Sequence, residues 1–203
     1  TTREAHVITI EDPLENLHQH KKSVVTQREL YTDTRSYEAA LRAALREAPD
    51  VILLGEMRDA ETIKAAVTAA ETGHLVISTL HTIGAANTVD RIVDTFPPEQ
   101  QRQIRTQLAL ALEGVVSQQL LAAEGGTLIP AFEVMTVTPA VRNMIRESKA
   151  FQLDSVISTS GALGMITMDQ SILELVRGGR VSRDTALRHA SNPDWLEKRL
   201  SSL

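Results

Sequence analysis

The chain has 203 residues, 42% hydrophobic and 23% charged, which suits one globular domain or a larger core with a small appendage. Its 21 basic and 26 acidic side chains leave a net charge of -5, which argues against a nucleic-acid or anionic-membrane binder held by bulk positive charge. The absence of cysteine excludes disulfides, thiolate zinc sites and cysteine nucleophiles, and with no run of 18 apolar residues and no basic-then-apolar leader, neither a membrane span nor a secretory signal is expected.

His6–Ile10 is a β-branched apolar segment running into the acidic turn Glu11-Asp12-Pro13, the pattern of a buried strand that delivers carboxylates at its carboxyl end. A polar loop and a short strand near residues 23–27 follow. Residues 37–47 place Leu41, Ala44 and Leu45 on one helical face, and Pro49 closes the helix. Val51–Leu54 reads as a strand buried on both faces and stops at Gly55-Glu56. From Ala60 to Thr72 the apolar spacing is helical up to Gly73, and Leu75–Leu80 reads as a third buried strand ending at His81. Alternating strands and helices imply an α/β parallel sheet, in which functional groups gather at the strands' carboxyl ends. Here those ends carry Glu11, Asp12, Glu15, Glu56, Thr79 and His81.

After Pro97-Pro98 a helix is expected to about Glu113, then a hairpin of residues 115–121 and 127–136 around Gly125-Gly126. Thr138-Pro139 starts a helix with Ala140, Val141, Met144 and Ile145 as its inward stripe and Arg142, Asn143, Arg146 and Glu147 opposite. Three short helices complete the chain, and a domain boundary is expected near residue 136, separating 1–136 from a helical subdomain of 137–203.

A glutamate just past a buried strand, with further carboxylates and a histidine nearby, can orient or deprotonate a water, or support a magnesium ion. His74 and His81 are seven residues apart and would leave a regular strand on opposite faces, so they do not share one metal. No permanent metal site built from protein alone is expected.

Ile10-Glu11-Asp12-Pro13-Leu14-Glu15, Leu54-Gly55-Glu56-Met57-Arg58-Asp59 and Gly73-His74 through Ser78-Thr79-Leu80-His81 follow one another as the Asp box, Walker B element and His box do in secretion-superfamily hexameric ATPases. Ala140-Val141-Arg142-Asn143-Met144-Ile145-Arg146-Glu147 resembles the Ala-Ile-Arg-Asn-Leu-Ile-Arg-Glu stretch of the pilus retraction branch, the PilT family, and Gly164–Asp169 resembles that branch's tail. The resemblance implies a RecA-like parallel-sheet ATPase core, here partial, with a helical C-terminal subdomain, acting as a homohexamer with ATP and Mg2+. It would sit in the cytoplasm, peripheral to the inner-membrane pilus base and platform proteins, and power pilus retraction and twitching motility.

By the same resemblance Glu56 would orient the attacking water, Glu15, Glu11 and Asp12 would support the magnesium and water network, and His81 and His74 would sense the γ-phosphate or couple it to a neighbouring subunit. Arg28, Arg46 and Arg91 become candidates for phosphate or cross-subunit contacts. Two departures stand out. No G-x-x-x-x-G-K-[ST] phosphate loop occurs, so the chain is expected to be the C-terminal portion of a longer protein and inactive alone, and Ala48 stands where the family commonly has aspartate. The alternatives are a secretion or pilus-assembly ATPase, whose zinc-binding cysteines are absent, and a nonhydrolytic interaction module that kept the fold.

Overall fold

The computed structural model describes residues 3–201. The chain divides into two compact units, Thr1–His81 with Ile92–Ala111, and Thr82–Arg91 with Leu112–Leu203. The expected boundary near residue 136 falls inside the second unit, because the hairpin that precedes it shares a core with the helices that follow it.

In the first unit, β1 (His6–Glu11), β2 (Val24–Glu29), β3 (Val51–Leu54) and β4 (Leu75–Ser78) form one sheet in the order β2-β1-β3-β4. Every pair is parallel, with Val7 opposite Val51 and Leu54 opposite Ser78, so all four carboxyl ends emerge on the same edge. The strand period of two sends Ile8, Ile10, Ile52 and Leu54 to one face, where they are completely buried. There they pack with Leu41 and Ala44 of α1 (Tyr37–Ala44) and Ala66 and Ala69 of α2 (Ala60–Glu71). Burying each such Ile or Leu contributes about 1.5–3 kcal/mol. Ser36 caps α1 by accepting from the Ala39 amide, and Asp59 caps α2 by accepting from the Thr62 amide at 2.8 Å. Gly73, with φ of 98°, releases the chain from α2.

The opposite face corrects the expectation of strands buried on both sides. Leu75 and Ile77 of β4 are each 48% exposed, and Val51 and Leu53 are only half-buried, so a continuous apolar run here marks a strand covered on one face. Helix α4 (Pro98–Ala111) packs on α2, with Gln107 donating to Glu71 at 2.8 Å.

In the second unit β5 (Gly114–Ala122) and β6 (Leu128–Thr136) make the anticipated antiparallel hairpin, turned by Gly125 and Gly126 at φ of 106° and 84°. Leu121, Ile129 and Ala131 join a core with α7 (Met168–Arg177), α8 (Arg183–His189) and α9 (Pro193–Leu200). Helix α3 (Ala85–Asp94) lies outside the expected elements, and α6 (Leu153–Thr159) falls in the stretch expected to be helical. Glu133 of β6 is buried and accepts from the amides of Ala85 at 2.7 Å and Met168 at 3.2 Å, the first residues of α3 and α7. Its register partner Ser117 accepts from the Gly84 amide at 2.9 Å.

Helix α5 (Pro139–Arg146) starts on Thr138 with Pro139 in its first turn, as expected. Its inward stripe is narrower than expected: Val141 and Ile145 are fully buried, Met144 half-buried, and Ala140 exposed. Among the described residues no helix is long and apolar enough to cross a membrane.

Candidate active site at the strand carboxyl ends

The parallel sheet brings the acidic ends of β1 and β3 and the histidine after β4 onto one edge of the first unit. Ladder bonding continues past the strands: the Gly55 amide donates to Ile10 O at 2.8 Å, and the Met57 amide donates to Thr79 O at 3.1 Å. The Thr79 hydroxyl donates to Gly55 O. A side chain could not replace the hydrogen at Gly55 without movement, since a Cβ there would stand 3.0 Å from the Tyr37 hydroxyl and 3.3 Å from Glu11 Cα. Glycine at this turn therefore keeps β1 and the start of α1 close to the Glu56 backbone.

Glu56 follows directly, half-buried, and both its oxygens are engaged. Arg58 donates to Oε1, and His81 Nε2 lies 3.3 Å from Oε2. The Arg58 hydrogen bond holds the Glu56 carboxyl below the ordinary carboxylate range, with the His81 ring adding to the effect and partial burial opposing it. An ionised carboxylate of weakened basicity is better suited to orienting a water than to keeping its proton. The same contact raises Arg58, so the guanidinium stays charged.

Glu11 accepts from the Thr9 hydroxyl at 2.6 Å and from Gln27 at 3.4 Å, which fixes its carboxylate on the face opposite the buried isoleucines. Asp12 is exposed at the following turn, and its charge acts on both Arg58 and Tyr37. Glu11, Asp12, Glu56 and Arg58 thus share one electrostatic neighbourhood centred on the Tyr37 hydroxyl. Among the described residues no group of three or more His, Asp or Glu is arranged to hold a metal ion. The strand-end carboxylates Glu11, Asp12 and Glu56 are oxygen donors of the kind a magnesium ion shared with phosphate takes one or two at a time. Two surface depressions among the described residues, between α1 and α2 and at Tyr31–Arg35, are lined by none of these strand-end groups.

Glu15 is exposed in the loop after β1. Arg28 is paired with Glu47, and Arg46 is exposed on the turn after α1. His74 precedes β4, at the opposite end from His81, with Nδ1 at 3.0 Å from Ala69 O and 3.3 Å from the Thr72 hydroxyl. Arg91 is exposed on α3 in the second unit. In α5, Arg142 donates to Glu113 at 2.7 Å, Arg146 donates to Asn143 at 3.3 Å, and Glu147 closes the helix through its amide. Arg142 is thus part-buried and paired, where an exposed arginine was expected.

Sequence reasoning missed Arg58 and Tyr37 as members of the site. Arg58 had a signal, two residues after Glu56 in a turn too short to carry it away. Tyr37 had none, because its closeness to Gly55 is a tertiary contact.

Residues 1–125 match the family described as "Type II/IV secretion system protein". Over 193 residues, 95% of this chain and 56% of the other, the chain is 51% identical to the type IV pilus retraction ATPase PilT of Pseudomonas aeruginosa. It is 54% identical to the twitching motility protein of Neisseria gonorrhoeae over 194 residues, 95% of this chain and 52% of that one. A crystal structure of the pilus retraction motor PilT with bound ADP superposes with a TM-score of 0.90 at 47% identity, covering 97% of this chain and 56% of that one. The chain spans about half the length of these relatives. Strand order, strand-end carboxylates and this similarity agree: the chain belongs to the type II/IV secretion system protein family, with a RecA-like core.

Proposed function

We propose that this chain forms part of a hexameric motor ATPase that hydrolyses ATP to power type IV pilus retraction at the cytoplasmic face of the pilus base. The observation that carries the reading is Glu56 at the carboxyl end of β3, ionised and aligned by Arg58 and His81, in a chain about half identical to a pilus retraction ATPase and a twitching motility protein. When bound, ATP and Mg2+ supply the transferable phosphoryl group and neutralise its charge.

The residues of this chain divide the remaining work. Glu56 accepts a hydrogen from the attacking water and orients it, and its lowered basicity favours alignment over proton capture. Arg58 and His81 hold the Glu56 carboxylate in one rotamer, and His81, 88% exposed in its side chain, is free to meet the γ-phosphate side. Glu11 and Asp12, with Glu15 from the following loop, would help to hold a magnesium ion when it is bound. Arg46 and Arg91 serve phosphate or neighbouring-subunit contacts, while Arg28 and His74 act through structure. The second unit, hairpin and helices together, presents Asn143, Arg146 and Glu147 of α5 to the pilus platform, with Arg142 securing the helix.

The 203 residues contain no G-x-x-x-x-G-K-[ST] sequence, so the activity proposed is that of the full-length protein. There, Glu56→Gln keeps ATP binding and lowers turnover by about a hundredfold or more. Turnover within threefold of wild type refutes the assignment.

A further inference from the structure

The hydroxyl of Tyr37 is a buried polar group without a hydrogen-bond partner. Its residue is 8% exposed, at the first position of α1, and the phenol oxygen faces Gly55, where a Cβ would stand 3.0 Å from it. Buried hydroxyls are nearly always paired, and leaving one unpaired is costly, so an orphan at a candidate site points to a bond made in another state of that site.

The chemistry around the phenol identifies that bond. The charged groups acting on it are Asp12, Glu56, Arg58 and Glu11; three of the four can only accept and one can only donate. A phenol brings a single donor, which matches a carboxylate. In the arrangement described, Arg58 holds one Glu56 oxygen and His81 faces the other, while Thr9 and Gln27 both donate to Glu11 Oε1. Nucleotide at this edge would compete for Arg58 and His81, since both are cationic or potentially cationic donors suited to phosphate. A carboxylate that loses one of them then needs a replacement donor.

We infer that Tyr37 is a positioning residue for hydrolysis: its hydroxyl donates to Glu56 or Asp12 when a nucleoside triphosphate draws Arg58 or His81 away, and so keeps the water-orienting carboxylate in place. The inference rests on the ATPase reading of the site. The hydroxyl acts through Glu56 or Asp12, touching neither the reacting water nor the phosphate.

Tyr37→Phe removes the hydroxyl alone and leaves the ring in its packing. In the full-length protein this variant has kcat reduced by roughly tenfold, the size expected for one hydrogen bond to a charged group, with KM for ATP within about twofold of wild type. Its ligand-free thermal midpoint is unchanged or raised, because no hydrogen bond is lost in that state. Glu56→Gln is measured beside it. Loss of turnover in Glu56→Gln with wild-type kcat in Tyr37→Phe overturns the inference while the ATPase reading stands. A lowered ligand-free midpoint in Tyr37→Phe also overturns it, since the hydroxyl would then be an ordinary structural partner. Unchanged turnover in both variants overturns the reading of the site, and the Tyr37 role with it.

Discussion

Arg142 of α5 donates to Glu113, the residue just before β5, at 2.7 Å, and this pairing separates two arginines that share one helical motif. The Arg142 side chain is 28% exposed, whereas Arg146 lies on the exposed face and donates to Asn143 at 3.3 Å. Arg142→Ala therefore lowers the stability of the second unit by up to about 1 kcal/mol, discounted for the solvent around Glu113. Arg146→Ala stays within about 0.5 kcal/mol of wild type. Thermal or chemical unfolding of the two single variants checks this, and equal losses would contradict the asymmetry. A motility defect in Arg146→Ala then reads out a contact, while one in Arg142→Ala is mixed with stability.

Glu133 gives a pH dependence with a definite sign. Burial raises its pKa, and the bonds from the Ala85 and Met168 amides only partly oppose that, with the charges of Asp154 and Asp169 adding to the rise. The folded state then binds the proton more tightly than the unfolded chain, so the cost of the buried charge is present above the folded pKa and is relieved as pH falls through it. Compared with Glu133→Gln, wild type gains stability on going from neutral pH toward the ordinary glutamate range. Paired unfolding curves of the two proteins at pH 7 and pH 5 test this, because the remaining titrating groups are common to both. A gap that moves the other way would show that the two amide bonds outweigh burial.

His81 and His74 should fail in different ways. His81 faces Glu56 at 3.3 Å and is otherwise exposed, so His81→Ala in the full-length protein lowers ATP turnover with little effect on thermal stability. His74 ties the end of α2 to the start of β4 through Ala69 O and Thr72, so His74→Ala lowers the thermal midpoint and alters turnover less. Comparable turnover losses in both, at unchanged stability, would refute the division.

Much of this architecture is legible in the sequence because it is written locally. β1, β3 and β4 are short β-branched runs bounded by turns, the hairpin carries Gly125-Gly126, and α5 and α7 start on Thr138 and Thr167 with capping bonds. Helix α3 escaped for a physical reason. Its buried residues Ala85, Val89, Ile92 and Val93 have helical spacing, yet no Ser, Thr, Asp or Asn caps it locally, because Glu133 supplies the acceptor from 48 residues away. The period was the signal available. Exposure of Leu75 and Ile77 was equally hidden, since an apolar run states that burial is favourable and not whether a partner covers both faces. Within the site, Glu11, Asp12, Glu56 and His81 were readable as strand-end groups. The orphan state of Tyr37 depends on Gly55 and Glu11 meeting in three dimensions, and no spacing encodes it.

The bonds that carry β3 and β4 beyond their last paired residues set how this edge can move. Met57 and Gly55 are each fastened to Thr79, one through its carbonyl and the other through its hydroxyl, and Gly55 is fastened on its other side to Ile10. The Glu56 turn and the segment leading to His81 are thus cross-tied at Thr79 by a backbone and a side-chain bond. A displacement of the segment at Thr79 therefore carries the Glu56 turn with it, while the exposed His81 ring beyond it can still turn toward a ligand.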